Sequence, residues 1–420
     1  MKKIRDNRTI IIFAIGIISF ALAIYFVFLD SCRLKIEVSP KNAQILLDNR
    51  PLTVNNSGIS KTSVASGTYT LKVEANGYVS YKTEIKAEKG RSISKKVDLK
   101  KLPELTLLDE GSYLANYFND QILYLGDNRR SILSLTAELN DKNLVVSSAK
   151  KPLTPEALSN IDKIIFSPDH QLAILKTSHE ASLYDFNRYD IIHQEIRKYS
   201  DYVGDIIWSP DQSRLAYYYA PPTGERSLIF ANTLNENQQR VVDLTTMEDP
   251  ILHWSKNSDK ILIIPRNSDT ATNQIYLLDV YTKALQSLTD FGGVLDAKFI
   301  QNDQQIVYFT STNDPKSPIK SEVSVMDADG NNKKSLEIKS YPEQTYFQSD
   351  EKVIFTTYSS GQEKLINIDF KAQKTNTIYF KRPQNFKIQN VYLSNDSKMI
   401  FLVANNNLYG AEYTDDNYGE

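Results

Sequence analysis

The chain has 420 residues, 41% apolar and 24% charged, with a formal charge of −2; this is the composition of a folded protein and excludes a disordered or collagen-like one. Its single cysteine, Cys32, excludes an intramolecular disulfide, so packed cores must hold the fold, and the redox compartment stays open. The near-neutral total conceals two modules of opposite sign: residues 33–101 carry 14 Lys/Arg against 6 Asp/Glu, whereas residues 102–420 carry 31 against 43. With the larger module acidic, nucleic acid is not an expected partner.

From Thr9 to Leu29 run 21 residues without a charge, rich in Ile, Phe, Ala, Val and Leu. At about 1.5 Å per residue they span a hydrocarbon core of about 30 Å, so a membrane helix is expected over 9–29. Lys2, Lys3, Arg5 and Arg8 precede it, which by the positive-inside rule leaves residues 1–8 in the cytoplasm and everything after residue 30 outside. A cleaved secretory signal is the alternative, although signal cores usually extend over only about 7–15 residues. Leu29-Asp30-Ser31-Cys32 resembles the lipobox of bacterial lipoproteins, with Asp30 where a small residue belongs; otherwise Cys32 is a free thiol at the membrane surface. On each reading the bulk is extracytoplasmic, and the first describes a single-pass cell membrane protein.

Alternating apolar positions predict strands at Leu34–Val38, Ala43–Leu47, Tyr69–Val73, Tyr81–Ile85 and Ile93–Leu99. Turn signals at Ser39-Pro40, Asp48-Asn49, Asn55-Asn56-Ser57-Gly58, Ser66-Gly67 and Asn76-Gly77 separate them, giving a small antiparallel β-sandwich over 33–101. Val38-Ser39-Pro40 with Ala43, then Gly67-Thr68-Tyr69-Thr70-Leu71-Lys72-Val73 leading to Gly77-Tyr78, resemble the PEGA domain, without the proline that usually precedes the glycine. The resemblance implies the fold and an envelope adhesion or scaffold module with no shared ligand. The basic excess here reads in two ways: contact with anionic headgroups or wall polymer, at about 1 kcal/mol per well-placed cation, or lysines that merely solvate a sheet face and blunt its edges.

After residue 104 one phrase recurs seven times: an aromatic residue, two loose positions, Asp or Asn, then an apolar strand. The copies are Tyr117–Asp120, Phe166–Asp169, Trp208–Asp211, Trp254–Asn257, Phe299–Asn302, Phe347–Asp350 and Tyr392–Asn395, at steps of 49, 42, 46, 45, 48 and 45 residues. That period fits four short strands per blade of a β-propeller. Each copy precedes an apolar triplet, from Ile122-Leu123-Tyr124 to Met399-Ile400-Phe401, and third strands end in Asp185, Asp279 and Asp327. Trp208-Ser209-Pro210-Asp211 and, less fully, Phe166-Ser167-Pro168-Asp169 make the region resemble the TolB-type or WD-like propeller repeat, which implies a fold and no substrate. Seven blades are expected over 104–420, with Leu105–Leu108 supplying the outer strand that the last copy lacks; if the first copy is not a blade, the count is six.

Chemistry is sparse. His170, His179, His193 and His253 lack metal-ligand spacing and read as surface residues; HExxH, GxSxG, GxGxxG and phosphate-loop patterns are missing from the sequence, so neither a catalytic residue nor a metal or cofactor is expected. Asp327-Ala328-Asp329-Gly330-Asn331 spaces oxygens as a calcium loop does, and equally suits an Asp-Gly hairpin. Links between second and third strands emerge beside the links between blades, so the long ones, 220–225, 266–273 and 311–320, should crowd one face. Around them Tyr199, Tyr202, Phe291, Tyr341, Lys381, Arg382 and Phe386 form a candidate partner-binding face, or else anchor loops. The expected function is a non-enzymatic binding or scaffold protein of the cell envelope, holding a protein or a glycan. The alternative is a glycan-active lyase or hydrolase, which clustering of His193 or His253 with carboxylates in the central funnel would favour.

Overall fold

The computed structural model describes residues 31–415 apart from 119, 127–128, 141–142, 147–148, 155–157, 159–160, 179–183, 199–201, 313–318 and 360–361. The apolar segment Thr9–Leu29 lies outside the described residues; among those described, no helix is long and apolar enough to cross a membrane. Apart from two single-turn 3-10 segments, all their regular structure is β. The chain divides into two compact units, one ending at Leu102 and the other spanning Pro103–Thr414.

The first unit contains β1 (Ser31–Ser39), β2 (Gln44–Leu47), β3 (Arg50–Leu52), β4 (Ile59–Ala65), β5 (Gly67–Glu74), β6 (Tyr81–Ala87) and β7 (Ser92–Asp98). They form two sheets, β3-β2-β5-β6 and β4-β1-β7. Alternation puts Cys32, Leu34, Ile36 and Val38 of β1 in the shared core with Ile45, Leu71, Val73 and Val97. Two expectations need correction. The sandwich is not wholly antiparallel, since β1 pairs parallel with β7. Cys32 is fully buried in that core and not a surface thiol. The strands β3 and β4 escape a hydrophobic reading because Arg50-Pro51-Leu52 is only three residues long and Ile59–Ala65 carries Lys, Thr and Ser.

The second unit holds, among the described residues, seven four-stranded antiparallel sheets, taken here in chain order. Their first strands are Tyr113–Phe118, Ile161–Phe166, Val203–Trp208, Ile251–Trp254, Val294–Ile300, Thr345–Phe347 and Ile388–Leu393. A two-stranded hairpin, Ala137–Asn140 with Asn143–Val146, is inserted within the first sheet. The seventh sheet draws its fourth strand from the start of the unit: β8 (Thr106–Glu110) pairs antiparallel with Asn407–Glu412. This is the expected Leu105–Leu108 strand, displaced by a residue or two.

Each hydrophobic cluster lies between two sheets. Ile261 and Ile263 of the fourth sheet pack toward the third, whereas Leu262 and Ile264 pack toward the fifth. Ile306 and Tyr308 likewise face the fourth sheet, and Val307 and Phe309 the sixth. The last cluster joins Phe401, Val403 and Leu408 of the seventh sheet to Ile122, Tyr124 and Leu133 of the first. Second strands are therefore buried on both sides, which is why the triplets are apolar without alternation, and the cyclic order closes.

The repeated Asp has two uses. Ser167 and Ser209 donate to Asp169 and Asp211 at 2.6 Å, closing their own turns. Asp350 instead accepts the Asn302 backbone N–H, and Asp303, one residue past the repeat position Asn302, accepts those of Lys256 and Asn257, so these two tie a turn to the preceding sheet. In the seventh copy Ser394 donates to Asp396 at 2.6 Å and Leu393 pairs with Ile400, as Trp208 pairs with Leu215. That copy is thus Leu393–Asp396, one residue later than the expected Tyr392–Asn395. The third strand of the second sheet also runs on to Asp190, so Asp185 does not end it.

Closure is fastened by Asp109 on β8, which accepts the Tyr124 hydroxyl at 2.6 Å and pairs with Lys150 at 2.9 Å. Asp109→Ala should lower the stability of this unit by about 1–3 kcal/mol by leaving a part-buried hydroxyl without its acceptor, and Lys150→Ala by at most about 1 kcal/mol because that partner is exposed. Urea unfolding followed by tryptophan emission checks this, since both tryptophans, Trp208 and Trp254, lie in this unit.

Candidate functional site

First strands place one residue, immediately before the repeated aromatic position, on the central axis. In order these are Asn116, Ile165, Ile207, His253, Lys298, Tyr346 and, with the corrected register, Tyr392. All but Tyr346 line a cavity of about 510 Å³, along with Asn390 and the turn residues Ser167, Pro168, His170 and Pro210. Because it is built from the ends of first strands and the turns after them, the cavity opens opposite the links between sheets.

Its walls divide by chemistry. Ile164, Ile165, Phe166, Ile207 and Trp208 make an apolar side, with the Trp208 indole N–H donating to the Ile165 carbonyl at 3.1 Å. His253, Lys298, Asn390 and Tyr392 make a polar side. His253 Nε2 stands 2.8 Å from Asp296 Oδ1, which also accepts the Ala297 backbone N–H. Burial pushes the Asp296 carboxyl up, but the His253 charge, these hydrogen bonds and nearby Lys298 outweigh it and hold the group below its ordinary value. Burial pushes the Lys298 ammonium down, only partly offset by Asp296, and its Nζ rests 4.2 Å from the centre of the Phe347 ring. Tyr392 donates its hydroxyl to the Ala115 carbonyl, and burial raises its pKa.

His170 bridges the first and second sheets. It stacks on Phe118 at 3.7 Å and on Phe166 at 5.3 Å, and the Asn116 side-chain amide donates to Nε2 at 3.0 Å. His170 and His253 therefore line the funnel and are not surface residues; His193 is exposed and pairs with Asp190 on the outer side of the second sheet, and His179 lies outside the described residues. The Asp327 loop forms the hairpin, with the Asp327 N–H donating to Asn331 O and Gly330 at φ +87°. Among the described residues no group of three His, Cys, Asp or Glu is placed to hold a metal ion.

The candidate partner-binding face lies on the other side of the ring. There the link 266–273 is stitched to both neighbouring intersheet links, through Glu248 N–H to Asn267 Oδ1 at 2.9 Å and Gly293 N–H to Thr270 O at 2.8 Å. A Cβ on Gly292 would stand 1.7 Å from the Ala271 carbonyl oxygen, so only glycine fits there. Tyr202 is 49% exposed, and Tyr199 lies outside the described residues, as does 313–318 within the third long link. The others have packing partners: Phe386 is buried against Phe380 and Tyr409, Arg382 pairs with Glu363 at 2.8 Å, and Lys381 pairs with Glu104 at 3.2 Å. Lys333 lies 5.1 Å from the centre of the Phe291 ring, and Tyr341 accepts the Lys320 N–H at 3.1 Å. Sequence reasoning missed Asn116, Asp296, Lys298 and Asn390. The available signal was a polar residue just before, or two before that, the repeated aromatic in strands otherwise built from Ile and Leu.

The PEGA domain family model matches residues 31–103. No curated protein matches the chain. Among solved structures, the β-propeller domain of the Trilobed protease from Pyrococcus furiosus is similar at 13% identity and a TM-score of 0.50, covering 76% of this chain and 100% of that one. The tricorn protease (11%, TM-score 0.47) covers 87% of this chain, which spans only 40% of its length. A putative TolB from Agrobacterium tumefaciens (12%, TM-score 0.43) covers 68% of this chain and 98% of that one. The fold and its ring of sheets define a β-propeller. More particularly, the chain carries a PEGA domain followed by that propeller.

The His170 environment sets a pH dependence. Burial pushes its pKa below the ordinary 6.5, with the Pro168 carbonyl and Asp169 opposing. Below about pH 6.5 the unfolded chain takes up this proton before the folded one does, so propeller stability, complete above that pH, should fall on acidification toward the lowered folded value. His170→Gln should flatten this limb between pH 7 and about 5.5 while leaving the carboxylate limb below it, as read from urea midpoints by tryptophan emission.

Proposed function

We propose that this is a membrane-anchored extracytoplasmic binding or scaffold protein of the cell envelope, with Thr9–Leu29 spanning the membrane and a seven-bladed propeller presented outside to a protein or glycan partner. The observation that carries the reading is the funnel, a preformed concave site with an aromatic-aliphatic wall facing a short row of polar side chains. That is the general character of ligand sites, where the apolar wall supplies affinity and a few polar groups fix orientation. Lys298 supplies a cation that an acidic or strongly hydrogen-bonding partner group would stabilise in its charged form. The opposite face, with Tyr202 as its exposed aromatic, is the secondary surface.

A photoreactive residue replacing Ile207 is expected to capture a partner in intact cells. Lys298→Met and Asn390→Ala should each reduce the yield several-fold without changing the folded fraction, whereas Tyr202→Ala should leave it unchanged. Capture indifferent to the first two variants and dependent on Tyr202 would move the binding site to the other face.

One observation favours the enzymatic alternative, a lyase or hydrolase acting on a glycan: His253 and Asp296 form the histidine-carboxylate pair in the funnel that such chemistry uses to move protons. If so, the purified protein releases fragments from envelope glycans, and both His253→Gln and Asp296→Asn abolish release while leaving partner capture at Ile207. Fragment release that persisted in both variants would remove this pair from consideration.

A further inference from the structure

In the first unit, the face of β4-β1-β7 turned away from the core is not uniformly charged. Register places Arg33 beside Ser63 and Ser92, and Lys35 beside Lys61 and Ser94, all on the outward side. These residues, with Thr62 and Ile93, surround a shallow basin of about 480 Å³. Arg33, Lys35 and Lys61 are exposed and make no ion pair among the described residues. On the strands of this face carboxylates appear only toward the other end, at Glu37 and at Asp98, which is paired with Lys96 at 3.1 Å; Glu88, in the turn beside Ser31, is neutralised by Arg91 at 3.6 Å. The outward side of β3-β2-β5-β6 is built differently: Glu74 and Glu84 are mixed with Lys72 and Lys82, and Lys72 pairs with Glu74. Solvation alone needs only the mixed pattern, so the one-signed basin requires another account.

Position in the chain supplies it. The basic end of the face is the end at which β1 begins, and Arg33 follows the last residue of the apolar segment, Leu29, by four positions. Even fully extended, four residues reach only about 13 Å, and an exposed cation attracts anionic headgroups over a Debye length of about 8 Å. We propose that the basin of Arg33, Lys35 and Lys61, with the hydroxyls of Ser63, Ser92 and Ser94, is a docking surface for the phosphates of an anionic bilayer. This rests on the reading of Thr9–Leu29 as a membrane span. Docking holds the PEGA domain flat against the membrane; each cation adds attraction to the headgroups, and the serines donate to phosphate oxygens.

The test uses the full chain with Ser63→Cys, labelled there with a polarity-sensitive fluorophore; Cys32 is buried and does not compete for label. The protein is incorporated into nanodiscs of phosphatidylcholine alone or mixed with phosphatidylglycerol. The emission should shift to the blue only in the anionic discs, and high salt should reverse the shift. It should be lost in the Arg33→Gln, Lys35→Gln, Lys61→Gln variant and restored when Lys35 and Lys61 are changed to Arg in place of Gln. Emission that ignores lipid charge while the chain co-purifies with the discs overturns the docking surface and leaves the anchor standing. Failure to co-purify with discs of either lipid overturns the anchor and the proposal together.

Discussion

The structure depends on apolar packing between neighbouring sheets, with no sheet owning a core of its own. A single four-stranded sheet here has two oily faces and no means of covering either, so every sheet needs both neighbours and the array is stable only as a closed circuit. The cluster of Phe401 and Val403 with Ile122 and Tyr124 completes that circuit. Pairing of β8 with Asn407–Glu412 then prevents it from reopening, because separating the first and seventh sheets would also tear a strand from its ladder.

Ring geometry explains how chemistry converges from distant sequence. Asn116, His253 and Lys298 come from three different sheets, yet the equivalent position on each first strand brings them to one cavity; Asn390, two residues before that position in the seventh sheet, joins them, and Asp296 reaches the site through His253. At the axial position Asn116, His253 and Lys298 stand where the second and third copies have Ile165 and Ile207, and those two isoleucines make the apolar side. Since the scaffold is held by second-strand packing, the axial positions are free to vary without loss of fold, and they are where function separates one propeller from another.

Much of the architecture was legible in the sequence because it rests on local rules. The seven-fold phrase marks the turn after each first strand, the unbroken triplets mark strands buried on two sides, and the shortfall after Met399 pointed to β8. Reading failed where a rule was ambiguous by one residue. Tyr392 imitates the repeated aromatic, but Leu393 holds that place, and only the pairing of Leu393 with Ile400 reveals that Tyr392 faces the axis. The parallel β1-β7 pair was invisible for a related reason: alternation reports which side of a strand is buried and not which way its neighbour runs. The sequence singled out His253 but not its partner, since Asp296 is forty-three residues away and belongs to another sheet.

The strand that locks the ring is among the first of the propeller to be synthesised, and the strand it locks onto is the last. During synthesis Thr106–Glu110 therefore waits as an unpaired edge until residues 407–412 emerge, the most non-local pairing the domain contains, with the slow final step that such pairings impose. A chain cut short between Ile378 and Asn407 would bear six finished sheets and an open flank, a form of damage that chaperones and proteases can sense at the margin of the ring alone.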